Sequence, residues 1–366
     1  MMIPSTYTVA LLLAVLSMIC WGSWANTLKL AGKWRFELYY FDYSIGVLLA
    51  ATIAAFTFGS TDGVASDFSG PAFSFVDNLT VASKAQMLFA VAAGIIFNLA
   101  NLLLVAAITV AGLSVAFPVG IGLALIVGTV LNHVLRPTGN PVYLFSGMGF
   151  ILLAIIVTAM AHAAYNVGRQ APAPAPAAEV KTIPGTRAVH RPTGVTRKAS
   201  PLKGIILSLF AGILMGLFYP LVELSKKGDL GLGPYTAAFL FGMGVLLSTP
   251  VFNIFFMNMP VEGPALGLRD YFHGTGRQHL LGLLGGIIWA VGCIANFVAS
   301  STPPSVNVGP ATSYAMGQGA TLVSTLWGLL LWKEFAGASG GVRVRLILMF
   351  VLFVVGLALL SLAPLR

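Results

Sequence analysis

Ten apolar runs, each about the length of a membrane span, dominate this sequence. A helix needs about 20 apolar residues to cross a hydrocarbon core about 30 Å thick, and there its backbone must form its own hydrogen bonds. The 366 residues are 57% apolar and only 8% charged, whereas soluble domains carry about 25% charged residues. The sequence therefore predicts an all-α integral membrane protein and excludes soluble enzymes and nucleic-acid-binding modules. The predicted spans are residues 6–27, 39–59, 86–108, 113–135, 141–163, 203–224, 234–257, 279–300, 306–331 and 343–363.

The composition changes abruptly between the fifth and sixth runs. Residues 170–178 read QAPAPAPAA, and residues 181–203 carry six Lys or Arg residues and no acid. Alternating Ala-Pro favours an extended chain, and basic segments lie near anionic lipid headgroups. We therefore predict three parts: a first five-helix repeat in residues 1–165, a basic linker in residues 166–202, and a second five-helix repeat in residues 203–366.

The positions of the basic residues predict an orientation. Ten crossings place fifteen Lys and Arg residues on the side of the linker and five on the opposite side. Basic residues accumulate in cytoplasmic loops. The sequence thus predicts a multi-pass protein of the inner cell membrane, with the linker in the cytoplasm and both termini outside.

Short matches relate the two halves of the chain. The stretch Gly94–Phe97 (GIIF) matches Gly286–Trp289 (GIIW) at an offset of 192, and Gly46–Leu49 matches Gly244–Leu247 as GVLL at an offset of 198. Because five spans are an odd number, the second half must enter the membrane from the opposite side. Ten helices in two inverted repeats are typical of secondary transporters, which bind substrate near the bilayer midplane.

Four segments resemble the drug/metabolite transporter superfamily: residues 20–27 (CWGSWANT), 36–43 (FELYYFDY), 112–118 (GLSVAFP) and 327–334 (WGLLLWKE). Within it they are most similar to the branch of glucose/ribose porters and ureide permeases, which includes rhamnose/proton symporters. The resemblance implies ten spans in a five-plus-five arrangement. Plant ureide permeases carry a nucleotide-binding-like motif in the central loop, and this linker lacks one.

Polar and aromatic side chains inside the runs are candidates for substrate binding, because polar groups are costly at membrane depth. An aromatic ring beside an amide suits a sugar or a planar ureide. The alternatives are an aromatic belt at the membrane interface and hydrogen bonds between helices. The predicted substrate-binding residues are Trp21, Asn26, Asn98, Asn101, Trp289, Asn296, Tyr314 and Gln318.

Three acids near the ends of spans are candidates for proton coupling: Asp42, then Glu223, then Glu37. A carboxyl group in a poorly hydrated site can exchange a proton near neutral pH. The alternative is interfacial pairing with neighbouring basic residues, which contributes little stability. Asp42 is the leading candidate because it lies deepest.

The sequence as a whole predicts a secondary active transporter for a small polar metabolite. We expect a sugar as substrate, alternating access and proton coupling in the lipid bilayer. A ureide or allantoin-type permease is the first alternative, and export of drugs or amino acids is another. A sensor or scaffold that transports nothing is the alternative from a different class. No spacing predicts an enzyme, a metal site or a cofactor, and a homodimer is left open.

Overall fold

The computed structural model describes residues 1–61, 74–111, 113–170, 201–261, 263–303, 306 and 308–365. The regular structure of these residues is helical throughout. The helices are α1 (Tyr7–Ser23), α2 (Ala25–Leu30), α3 (Phe36–Phe56), α4 (Phe75–Val81), α5 (Lys84–Ala111), α6 (Leu113–Leu135), α7 (Pro141–Gln170), α8 (Pro201–Ser225), α9 (Pro234–Asn258), α10 (Leu268–Phe272), α11 (Gly276–Ser300), α12 (Pro310–Gly317), α13 (Ala320–Leu330) and α14 (Gly340–Leu362), followed by a 3₁₀ turn at Ala363–Leu365.

Most of the predicted spans are present as long apolar helices, which confirms an all-helical membrane protein. In the described part of the chain, eight segments are long and apolar enough to cross a bilayer. They are Tyr7–Leu30, Phe36–Phe56, Lys84–Ile108, Pro141–Val167, Leu202–Ser225, Pro234–Asn258, Gly276–Ser300 and Gly340–Leu365. They correspond to eight of the ten predicted runs.

The other two predicted runs are not among these eight segments, and both occupy the fourth place of their half. The run 113–135 forms α6, whose apolar stretch is the shorter Val119–Leu135. The run 306–331 is divided into α12 and α13 by Gln318 and Gly319. Gly317 and Gly319 lower helix propensity at this point. Ten crossings therefore stay a prediction for these two runs.

The predicted linker is described only at its ends. Helix α7 continues to Gln170, past the predicted end of the first repeat, and α8 begins at Pro201. The rest of residues 166–202 lies outside the described residues.

The two halves interlock, because the most extensive helix interfaces join one half to the other. Helix α5 packs along α8, and α11 packs along α1 in the same way. Helix α3 packs on α11, and its counterpart α9 packs on α5. Two further interfaces, α3 with α9 and α7 with α14, pair each helix with its own counterpart.

Glycines allow two of these helix pairs to touch backbone to backbone. At four positions on the α3–α11 and α5–α9 interfaces, an added Cβ would collide with a carbonyl oxygen of the facing helix. These contacts repeat at the two offsets that align the halves in the sequence. Subtracting 192 from the α11 residue and adding 198 to the α3 residue of each α3–α11 contact gives the two residues of an α5–α9 contact. The contacts are Gly286 with Tyr43, Gly94 with Phe241, Gly46 with Leu283 and Gly244 with Val91.

We expect Gly286→Ala and Gly94→Ala each to lower the free energy of unfolding by about 1–3 kcal/mol, the usual cost of overpacking. Gly149→Ala is the matched control, because nothing lies within 4 Å of a Cβ at that helical position. Thermal unfolding in detergent should show a lower melting temperature for the first two variants only. Equal melting temperatures for all three would contradict the close-contact interpretation.

Candidate functional site

An aromatic cluster surrounds Trp289 near the middle of α11. Trp289 lies 13 residues from the start of the helix and 11 from its end, and it is 5% exposed. Its ring stacks on Trp21 of α1 with centroids 5.9 Å apart and on Phe241 of α9 at 5.7 Å. Phe97 of α5 lies 4.2 Å away and Tyr43 of α3 lies 6.5 Å away. We call these five residues the central aromatic cluster.

The Trp21 ring is held where two glycines leave space for it. It lies between Gly292 of α11 and Gly317 of α12, and a side chain at either position would meet the indole. The indole Nε1 is buried and has no hydrogen-bond partner among the described residues. A buried donor without an acceptor costs about 1–3 kcal/mol. Trp21 thus presents a donor that a bound acceptor would satisfy.

Tyr43 presents a second buried polar group in the central aromatic cluster. Its ring stacks on Tyr40 with centroids 4.6 Å apart and lies 5.2 Å from Trp24. Its hydroxyl lies beside that of Tyr40 but has no partner within normal hydrogen-bond geometry in the described part of the structure. Tyr43 was not among the predicted binding residues. The signal that could have found it is its position directly after Asp42 in a tyrosine-rich segment of a predicted span.

The amide of Asn296 is fully used by the protein. Its Nδ2 donates to Ser17 Oγ at 2.7 Å and to the carbonyl oxygen of Ser313 at 2.9 Å. Its Oδ1 accepts from Tyr219 Oη at 2.6 Å and from Ser313 Oγ at 3.0 Å. These bonds join α11 to α1, α8 and α12, so the helix-packing alternative describes the observed role. Substrate binding by Asn296 stays a prediction.

The two amides of α5 also bond to neighbouring helices. Asn98 Nδ2 donates to Ser248 Oγ at 2.8 Å and Thr249 Oγ1 at 3.1 Å on α9, whereas its buried Oδ1 has no partner in the described residues. Asn101 Nδ2 donates to Tyr40 Oη on α3. Asn98 therefore keeps one acceptor available for a ligand.

The remaining predicted binding residues are Tyr314, Gln318 and Asn26. Tyr314 is buried beside the central aromatic cluster, 6.1 Å from Phe218, and its hydroxyl donates toward the carbonyl oxygens of Ala124 at 3.1 Å and Met215 at 3.2 Å. Gln318 is buried at the break between α12 and α13. Asn26 instead accepts a bond of 2.6 Å from Trp332 Nε1, beyond the end of α13.

A buried ion pair lies between the C-terminal ends of α8 and α11. Glu223 pairs with Lys226, and their side chains are 5% and 9% exposed. Lys226 Nζ also donates to Ser300 Oγ at 2.8 Å, and Arg136 donates to the Ser300 carbonyl oxygen at 3.2 Å. Burial lowers the pKa of Lys226, and the Glu223 carboxylate opposes that shift. The pairing alternative considered for Glu223 is thus observed.

A titratable cluster joins α3, α10 and α11 at the opposite end. Asp42 Oδ1 accepts from Tyr271 Oη at 2.6 Å, and Asp42 Oδ2 lies 2.8 Å from His279 Nδ1. Glu37 is paired with Arg35, as its alternative predicted. His279 and Tyr271 were not among the predicted site residues. His279 could have been found from its place at the start of a predicted span, at the same expected depth as Asp42.

No group of three or more metal-ligating side chains comes together in the described part of the chain. Of the predicted binding residues, Trp21 and Trp289 lie in the central aromatic cluster, whereas Tyr314 and the asparagines bond mainly to other parts of the protein.

The sequence profile of the ureide permease family matches residues 39–183 and 187–363. Ureide permease 2 of Arabidopsis thaliana is 27% identical, over 96% of this chain and 95% of its own length. Ureide permease 5 of the same plant is 28% identical, over 96% of this chain and 93% of its own length. A solved structure, described only as a crystal structure of a protein, shares the fold with a TM-score of 0.56, at 15% identity and over 98% of both chains.

Proposed function

This chain belongs to the ureide permease family and is a membrane transporter rather than an enzyme, and on that premise we propose that it moves a ureide by alternating access. The family match favours the ureide alternative over a sugar as the substrate. It gives no support to export of drugs or amino acids or to a sensor that transports nothing. It names no coupling ion and no orientation, so these parts of the proposal rest on the residues below.

The proposed substrate class depends on the two unpartnered polar groups of the central aromatic cluster. A ureide is planar around its N–C(=O)–N groups, which offer carbonyl acceptors and N–H donors. The flat rings of Trp21 and Trp289 suit such a planar group. The Trp21 indole can only donate, whereas the Tyr43 hydroxyl can donate or accept. Together they match the carbonyl and N–H edges of a ureide.

We propose that the two halves are inverted repeats related by a pseudo-two-fold axis. The reciprocal glycine contacts of α3–α11 and α5–α9 support this relation, since each contact has a counterpart at the expected offset. Helices α6 and α12–α13 occupy corresponding places in the halves, and the second of these spans is interrupted between α12 and α13. Discontinuous membrane helices commonly form the binding site of a transporter.

We also propose the orientation predicted by the basic residues, with the linker in the cytoplasm and both termini outside. The start of α3 and the start of α11 then face the cytoplasm, and Glu223, Lys226 and Ser300 lie at the outer face. Of the three acids proposed for proton coupling, Glu37 and Glu223 are held in ion pairs. Asp42 is the best candidate because its partners are a tyrosine and a histidine rather than an arginine or a lysine.

We expect purified protein in proteoliposomes to accumulate radiolabelled allantoin, a cyclic ureide, when the external solution is more acidic than the lumen. Radiolabelled glucose and an amino acid mixture should enter at the rate seen with empty liposomes. Without a pH gradient, the allantoin concentration in the lumen should rise only to the external concentration. Glucose accumulation with no allantoin accumulation would overturn the proposed substrate, and restore the sugar expectation.

A further inference from the structure

Asp42, His279 and Tyr271, which we call the aspartate cluster, are unequally exposed. Asp42 is buried, with 7% of its surface exposed, whereas the His279 side chain is 28% exposed. Both carboxylate oxygens are engaged, one by Tyr271 and the other by His279. The arrangement shields the carboxylate and leaves the imidazole in contact with the protein surface.

The surroundings of the aspartate cluster position the imidazole. Its ring lies edge-on to Trp34 at 5.5 Å and to Tyr271 at 4.7 Å. Gly282 faces the Cβ of Asp42, so no side chain of α11 at that position separates the two helices. The rings of Trp34 and Tyr271 thus pack against the imidazole whose Nδ1 faces the Asp42 carboxylate.

Few other titratable or charged groups face Asp42 in the described residues. Tyr271 comes from α10, His279 from α11 and Tyr39 from the same helix as Asp42. The Tyr39 hydroxyl is bonded to Thr27 of α2 at 2.6 Å. At the start of α3, Glu37 pairs with Arg35, which also donates to the carbonyl oxygen of Pro264 at 2.6 Å. A proton on Asp42 therefore changes mainly its bonds to Tyr271 and His279.

The aspartate cluster is connected to the central aromatic cluster by the same two helices. Asp42 precedes Tyr43 on α3, and His279 precedes Trp289 by ten residues on α11, about 15 Å at 1.5 Å per residue. Helix α3 thus carries Asp42 and a ring of the proposed substrate site, Tyr43. Helix α11 carries His279 and the central ring of that site, Trp289. Separating α3 from α11 at this end would alter both.

We infer that the aspartate cluster is the proton-coupling site and the cytoplasmic closure of this transporter, with His279 and Tyr271 as positioning residues for Asp42. This inference rests on the proposed function. Hydrogen bonds to an ionised carboxylate are about twice as strong as those to a neutral acceptor. A proton that arrives on Asp42 through the substrate path neutralises the carboxylate, weakens both bonds and releases the ends of α3 and α11. Loss of that proton to the cytoplasm restores the closed contact.

Three variants test this coupling site in proteoliposomes. Asp42→Asn should lose allantoin accumulation driven by a pH gradient but keep exchange of internal for external allantoin. His279→Gln, which can still donate a hydrogen bond but cannot carry a positive charge, should keep exchange and change the pH dependence of uptake, because it alters the contact that positions Asp42. His273→Gln is the control, because His273 is exposed in the connection between α10 and α11 and should leave the pH profile unchanged.

Accumulation by Asp42→Asn at the wild-type level would overturn the coupling site, and so would a His279→Gln profile that superimposes on the wild type. If Asp42→Asn does not fold, as judged by size-exclusion chromatography, the His279→Gln profile decides alone. Absence of allantoin uptake by the wild-type protein is a different outcome, because it overturns the proposed function.

Discussion

Lys226→Met is expected to lower the free energy of unfolding by about 3–5 kcal/mol, because it leaves the Glu223 carboxylate buried without its partner. Glu223 lies in the last turn of α8 and Lys226 directly follows that helix. Both side chains hydrogen-bond to the Ser300 hydroxyl of α11. Loss of the ammonium therefore removes the ion pair and a link between two helices. Thermal unfolding in detergent should show a large fall in melting temperature.

Two further variants separate charge burial from loss of contact. Lys227→Met changes an exposed lysine one residue away and should leave the melting temperature near the wild-type value. Glu223→Gln combined with Lys226→Met removes both charges, and should recover most of the lost stability, as replacement of a whole buried pair usually does. A single Lys226→Met variant as stable as the wild type would contradict the buried ion pair.

Trp289→Ala is expected to weaken ureide binding at least about 30-fold, which corresponds to about 2 kcal/mol, the loss typical of a central aromatic contact. Trp289 contacts every other ring of the central aromatic cluster. Binding of radiolabelled allantoin to purified protein measures the effect, and size-exclusion chromatography reports the folded fraction.

Truncation of a buried Trp also costs about 3–5 kcal/mol of stability, so a conservative variant accompanies it. Trp289→Phe introduces the phenyl ring of Phe97, the residue at the matching position of the first half. This variant should bind allantoin with an affinity between those of the wild type and Trp289→Ala. Trp327→Ala removes a half-exposed Trp outside the central aromatic cluster and should leave binding unchanged. Wild-type affinity in folded Trp289→Ala would contradict the proposed site.

The helical fold was largely predictable because membrane spans are long and uniformly apolar. The matching glycine-containing stretches also predicted a relation between the halves, and each matched glycine lies at a close helix contact. The break between α12 and α13 was not predicted. It depends on Gly317 and Gly319 together with the packing of Trp21 and Met18 against them, which hydropathy does not register.

The candidate site was predictable in its residue types but not in their partners. Trp21, Trp289 and Asp42 were predicted because aromatic and acidic groups are conspicuous within apolar runs. The full use of the Asn296 amide within the protein was not predictable, since its partners lie on three other helices. His279 was not among the predicted site residues, because its contact with Asp42 joins residues 237 positions apart.

The central claim is that Trp21, Tyr43 and Trp289 bind a planar ureide. Equilibrium binding of radiolabelled allantoin to purified wild-type protein and to Tyr43→Phe tests it most directly. We predict saturable wild-type binding that unlabelled allantoin displaces and glucose does not, and affinity about 5–10-fold lower in Tyr43→Phe, the loss expected for one hydrogen bond. Displacement by glucose, or equal affinity of the two proteins for allantoin, would contradict the claim.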